Sequence, residues 1–443
     1  MIKMQEHSHS AGAGLSEVSL PKSGREVFDE LRRGMGSLPF YWTGQVPLAP
    51  VVMEKSAYAE VHEATVALLE ILKSATWELG RTAIDRNERL GENSEFRQLF
   101  TDEATEWEYA TWEARPDVVL SEHGPKFIEF NVSVNVGGIT HTETMSSIWA
   151  GIYGDAIGSA SSFAVRADAL ERLCDAKGLD RSIVLIVEEP RLPVGDRAVS
   201  DAQIAYLRRR GFRAEHMTVE ALADHASRKA ARFGVAIREY TPQDRLDDGV
   251  GLEAAIRAHT ACEFTLMPFS SYHLSNNQVL ALISEGMPWM DAAKRALVNR
   301  FVPWSRVVRD GAVERAGAER DLRSLLVAEQ NSMVLKRGVG GSGRYVVLGR
   351  SVDASAWSAA VDRAMEEGRW IVQEFVEPVT MKMPFWEVES SSVVDRGVPG
   401  VISPFVIDGR DAGCLLRYTL DPSGRLVSFG QPGVRLNNVM TLS

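Results

Sequence analysis

Apolar residues recur every three to four positions through "YAEVHEATVALLEILKSATWEL" (58–79), which predicts amphipathic helix within residues 56–91. The period changes in "DVVLSEHGPKFIEFNVS" (117–133), where two short apolar runs flank a polar turn at His123-Gly124-Pro125. That pattern predicts a β-hairpin. Helices are expected across 140–175. From Arg181, "SIVLIVEE" reads as a buried strand, "SDAQIAYLRRRGF" as a helix ending at Gly211, and "RAEHMTVEAL" as a strand leading into a helix. Strand, helix and strand at this spacing make a βαβ unit with a parallel sheet, and "FTLMPF" (264–269) fits a later strand of it. A further region opens at Lys294–Arg300 and contains "SMVLKRGVGGSGRYVVLGR" (332–350) and the strand "RWIVQEFVEP" (369–378). Strands and turns then alternate to the end, through "GVPGVISPFVIDG", "GCLLRYTLDPSG" and "RLVSFGQPG". The fold class is α/β.

Composition narrows the partners. The 443 residues suit two to three domains, and 45% hydrophobic with 25% charged residues is ordinary for a globular protein. A net charge of −11 speaks against nucleic acid, which calls for a basic surplus. No apolar run approaches the roughly 18 residues of a membrane span, so no membrane is expected. The N-terminal stretch lacks an apolar h-region and reads as a flexible tail over 1–22, not a signal peptide. Three scattered cysteines (Cys174, Cys262, Cys414) suit a reducing cytoplasm, and there is no CxxC or HxxxH for zinc.

Two stretches carry candidate chemistry. In "LKRGVGGSGRYVVLG", Lys336 ends a strand, Gly338, Gly340, Gly341 and Gly343 fill the turn, and a strand returns. Glycines let backbone N–H groups approach an anion, and a lysine adds charge for phosphate. The stretch is not a Walker loop, since GK[ST] is absent and no helix follows; a plain hairpin tip is the competing reading. In the 117–131 hairpin, residues i and i+2 share a face, so Glu129 and Asn131 stand side by side and Asp117 faces them. Three oxygen donors of this kind suit Mg²⁺, and Arg115 on the same face could grip phosphate. Such residues also serve as ordinary turn formers at strand ends. The pairing with a phosphate loop favours the site, because ATP chemistry needs both a cradle and a cation.

In order, "RPD" (115–117), "EFN" (129–131), "LKRGVGGSGR" (335–344), "VQEFVEP" (372–378) and "LLR" (415–417) resemble the circularly permuted ATP-grasp ligases. Over residues 107–437 the chain looks like eukaryotic-type glutathione synthetase and glutathionylspermidine synthetase. The resemblance implies a permuted ATP-grasp fold with an inserted Rossmann-like βαβ domain. Its implied parts are a catalytic core at 23–178 and 365–443, a substrate domain at 179–290 and an ATP-binding lid at 291–364. It implies Asp117, Glu129 and Asn131 as Mg²⁺ ligands and Arg115 as a phosphate contact. Lys336, Lys294 and the loop glycines would hold ATP phosphates. Gln373, Glu374 and Val376 would meet adenine, with Glu377 near the ribose, and Arg417 would reach the transferred phosphoryl or the substrate carboxylate. Ser133, Asn135, Gly137 and Gly138 would border the acceptor. Two departures stand out: the glycine loop lacks the family's metal-binding Glu, and the tract after Asn131 is one residue shorter. The implied activity is ADP-forming ligation of an amino-acid or peptide carboxylate to an amine, a γ-glutamyl or other dipeptide-type product being the narrower form. A phosphotransferase and a non-catalytic nucleotide-binding scaffold are the alternatives. A homodimer is compatible with the sequence, which marks no interface.

Overall fold

The computed structural model describes residues 14–36, 38, 42, 44–133, 136–187, 194–228, 232–339, 345–421 and 433–443. The helical period at 56–91 resolves into two helices, Lys55–Trp77 and Ala83–Leu90, the second opened by a Thr82/Asp85 capping box and closed by left-handed Gly91. The alternating C-terminal stretch supplies three strands of an eight-stranded sheet, and the other five come from the first 160 residues. Across it lie Leu15–Ser16, Val51–Met53, Val434–Leu442, Arg410–Thr419, Gly400–Ile407, Glu113–Ser121 and Gly124–Val132, with Ile157–Gly158 paired beside Val434–Leu442. Neighbours are antiparallel except Val434–Leu442 with Val51–Met53.

The expected hairpin is Glu113–Ser121 with Gly124–Val132. The serine hydroxyl of Ser121 accepts from His123 N and donates to Gly124 O, which closes the turn between them. Every residue of Glu113–Ser121 is buried, so this strand runs through the interior rather than along a wet face. Helices Ile139–Tyr153 and Ser162–Lys177 pack on the sheet through such residues as Trp149 and Leu170.

The βαβ stretch forms a separate parallel sheet ordered Cys262–Leu266, Phe233–Glu239, Ser182–Val187, Arg213–Thr218. Its Phe233–Glu239 strand was not anticipated from the sequence, although its first six residues are buried. A third sheet, antiparallel, is ordered Ser305–Val307, Trp370–Glu374, Met333–Arg337, Val346–Leu348 over its own apolar core around Trp357, Leu325 and Trp370. The strand Trp370–Glu374 therefore belongs to the same sheet as Lys336, and that sheet extends past residue 364. Among the described residues no helix is long and apolar enough to cross a membrane.

Candidate active site

Register decides the site. In the hairpin Arg115 lies opposite Asn131 and Asp117 opposite Glu129, so all four side chains share one face of the large sheet. The next pair is Val118 with Phe127, which leaves Ile128 as a bulge. Bulges re-aim backbone groups. Here the Ile128 carbonyl accepts from Lys336 Nζ at 2.9 Å, and the third sheet is pinned to the hairpin there. Lys336 Nζ also donates to Gln373 Oε1 at 2.8 Å, and Gln373 Nε2 donates to Ser305 Oγ at 3.1 Å.

From the other side, strand Arg410–Thr419 contributes Arg417 and strand Gly400–Ile407 contributes Ser403. Arg417 forms an ion pair with Asp117 Oδ1, Ser403 Oγ donates to the same oxygen at 3.2 Å, and Arg417 Nη2 reaches Ser403 Oγ at 3.2 Å. Arg115 stands 3.9 Å from Asp117 Oδ1, and its Nη1 donates to Val136 O and, at 3.0 Å, to Gly137 O. Gly137 and Gly138 take φ of +61° and +88° and begin helix Ile139–Tyr153. A Cβ at Gly138 would come within 2.8 Å of Leu415, so glycine is required by both conformation and space.

Three cations meet two carboxylates here. Burial alone would raise the Asp117 carboxyl, but Arg417 and then Arg115 overcome it and hold it below the usual value. Burial, and next the charge of Asp117, push Glu129 up. Burial lowers Lys336 against the pull of Glu129 and Asp117, and burial with Arg417 brings Arg115 down to about 10. The set fits a phosphate and a divalent cation. The Nε atoms of Arg115 and Arg417 are buried without hydrogen-bond partners, donors that an anion would satisfy. Asn131 Nδ2 donates to Arg115 O at 3.2 Å, which leaves its amide oxygen to join the two carboxylates. Among the described residues no group of three Asp, Glu, His or Cys is placed to hold a metal, so the oxygen set is two carboxylates and one amide.

Two cavities lie near these elements, and the smaller reaches the cluster through Asn131. The larger, about 1260 Å³, is lined by Glu374, Val376 and Glu377 together with Lys126 and Arg306. The side chain of Glu374 is held by both terminal nitrogens of Arg315 at 3.2 Å, and Glu377 by Arg350 at 2.7 Å. The smaller, about 630 Å³, is lined by Asn131, Ser133, Gly338, Arg238 and Glu92. The Gln373 side chain is committed to Lys336 and Ser305, and its backbone lies in a strand paired on both sides, opposite Ser305 and Val334, so Gln373 supports Lys336 and is not presented to a base. Lys294 is not brought to the cluster: it is partly exposed on the first turn of helix Ala292–Phe301 and pairs with the capping Asp291 at 2.5 Å, while its neighbour Arg295 lines the larger cavity. Gly340, Gly341, Gly343 and Asn135 lie outside the described residues. Sequence reasoning missed Ser403, Ser305 and Glu92. Ser403 carries a signal, a polar residue inside the apolar run "GVISPFV"; Glu92 carries none.

No protein-family model matches the chain, and no curated protein matches it in sequence. Among solved structures it is similar to a glutathione synthetase-like effector from Globodera pallida in its apo form. The TM-score is 0.56 at 10% identity, covering 90% of this chain and 92% of that one. The fold is related to that of glutathione synthetase-like structures. A gamma-glutamylcysteine synthetase-like protein from Methylobacillus flagellatus also aligns, with a TM-score of 0.43, 13% identity and coverage of 84% and 87%; so loose a superposition carries no argument. At 10% identity the first likeness speaks for the mixed α/β fold with its large antiparallel sheet, and says nothing of the reaction.

Proposed function

We propose that the protein is an ATP-dependent, ADP-forming ligase of the circularly permuted ATP-grasp type, joining an amino-acid or short-peptide carboxylate to an amine. The observation that carries the reading is the single sheet face on which Asp117, Glu129 and Asn131 meet Arg115 and Arg417, with Lys336 delivered from a second sheet. A carboxylate is a poor acyl donor, and phosphorylating it creates an acyl phosphate that an amine can displace. Asp117, Glu129 and Asn131 would hold Mg²⁺, which neutralises phosphate charge when bound. Lys336 and Arg115 would fix the phosphates, and Arg417 would bridge oxygens of the transferring group, a geometry that a guanidinium supplies and an ammonium does not. The hinge segment 374–377 would receive adenine in the larger cavity. The 179–290 unit would shape the substrate pocket and 291–364 would form most of the lid.

The test measures ADP release with ATP, Mg²⁺ and an equimolar mixture of the twenty protein amino acids and their γ-glutamyl derivatives, with product masses recorded. A ligase requires both acid and amine, and with hydroxylamine replacing the amine it yields a hydroxamate plus ADP. Release from a single substrate with a phosphorylated product would make it a phosphotransferase. AMP and pyrophosphate would mean an acyl-adenylate route and overturn the reading.

A further inference from the structure

The smaller cavity contains a carboxyl group that the phosphate chemistry does not use. Glu92 follows the helix Ala83–Leu90, and its side chain is only 3% exposed. Its Oε1 accepts from Asn276 Nδ2 at 3.0 Å; its Oε2 makes no hydrogen bond, the nearest cationic candidate being His273 Nε2 at 4.0 Å. The segment that fixes Glu92 also fixes the rest of the site. Ser275 Oγ accepts from Val132 N at 2.8 Å, next to Asn131. Asn277 N donates to Gly338 O at 2.8 Å and its Nδ2 to Arg337 O at 3.1 Å, at the foot of the glycine loop. Three consecutive residues, Ser275, Asn276 and Asn277, thus touch the hairpin, Glu92 and the loop.

We infer that Glu92 is the base of this site, taking a proton from the substrate ammonium so that the free amine can attack the activated carboxyl carbon. The inference rests on the ligase reading above. In the step, nitrogen forms the C–N bond and the C–O bond to phosphate breaks. Glu92 Oε2 takes one proton from the substrate ammonium before attack, and inorganic phosphate departs with the electron pair and carries off the second N–H proton. An amine substrate is an ammonium at neutral pH and has no lone pair until a base removes a proton. A free buried carboxylate oxygen on a residue that lines the same cavity as Asn131 meets that need. Its protonation range agrees: burial raises Glu92 to about 7, only partly opposed by Asn276. His273 gives it no counter-charge, since burial and then Arg86 bring that imidazole down to about 3. Tyr272 from the same helix is pushed up by burial and by Glu92 itself, so it stays neutral. The remaining charged residues that line the cavity are Asp244, Asp247, Arg238, Arg337 and Arg369.

The experiment compares wild type with Glu92→Gln, using the amino-acid mixture with ATP and Mg²⁺, and again with hydroxylamine added. Hydroxylamine is already neutral at pH 7 and needs no base. The variant is expected to release ADP with hydroxylamine within about twofold of wild type, while its rate with the amino acids alone falls about 100-fold. Its KM for ATP stays unchanged, and the loss shrinks as pH rises and the amine deprotonates itself. Glu92→Asp recovers part of the rate. An unchanged rate with amino acids overturns the base assignment and leaves the ligase reading standing. A parallel loss of both rates in a variant that melts like wild type also overturns it, because the acid-activation step would then depend on Glu92. A wild type silent in both assays overturns the ligase reading and this assignment with it.

Discussion

Lys336 and Glu129 show what single residues contribute. The Lys336 ammonium has two fixed acceptors, Ile128 O and Gln373 Oε1, so it is positioned before any ligand arrives. Lys336→Ala should weaken ATP binding by about one to two decades, the loss of one charged contact at roughly 1.5–3 kcal/mol, as read by calorimetry. Affinity equal to wild type would take Lys336 out of the site. Glu129 has the opposite problem: burial and Asp117 raise its pKa, so the folded chain holds this proton more tightly than the unfolded chain does. A carboxyl raised in the folded state costs stability as pH climbs from its unfolded value through its folded one. Glu129→Gln should therefore melt higher than wild type at pH 8, show little difference at pH 4, and lose the melting shift that Mg²⁺ with ATP gives the wild type. Near-normal turnover in this variant would remove the metal assignment.

At the scale of elements, the hairpin was readable and its supports were not. Asp117 and Glu129 are twelve residues apart, and a two-run pattern around a Gly-Pro turn is enough to face them. The bulge at Ile128 has no such local mark, and it sets where Lys336 lands. Longer separations hide more. Arg166, on helix Ser162–Lys177, clamps Glu113 of the hairpin strand at 2.6 Å and Glu239 of the parallel sheet at 3.3 Å, all three side chains largely buried. Nothing in "RADALERL" marks its Arg as the joint between two sheets. Burial raises Glu113 to about 7 despite Arg166, so the pair is strongest in the pH range where the carboxyl is ionised. Arg166→Met should cost about 3–5 kcal/mol at pH 8, where it strands a buried carboxylate, and much less at pH 5, where Glu113 is protonated. Urea denaturation at the two pH values measures this. Equal losses at both would mean that packing, not charge, makes the joint.

Across the whole molecule, three sheets that fold over separate stretches of chain meet at one hairpin. Lys336 ties the Ser305–Glu374 sheet to it, Ser275 ties the segment after the parallel sheet to it, and Arg417 enters from within the large sheet. The order of the short motifs made this convergence legible, while the third sheet's extent and the strand Phe233–Glu239 depended on pairings remote in sequence. Lys294 tests whether motif order or geometry is the better guide. The resemblance puts it on ATP phosphates, whereas the fold leaves it partly exposed beside Asp291, outside the residues that line either cavity. An exposed pair at a helix start is worth about 1 kcal/mol or less. Nucleotide bound only to the folded state stabilises it by about 2.7 kcal/mol at a hundred times Kd. Lys294→Ala should accordingly keep both the ATP affinity, within about twofold, and the full thermal shift that Mg²⁺ with ATP gives, while Lys336→Ala loses most of both at the same ligand concentration. A tenfold loss of affinity in Lys294→Ala, without a change in its ligand-free melting temperature, would mean that helix Ala292–Phe301 turns toward the cleft when nucleotide binds, and motif order would then have been the better guide.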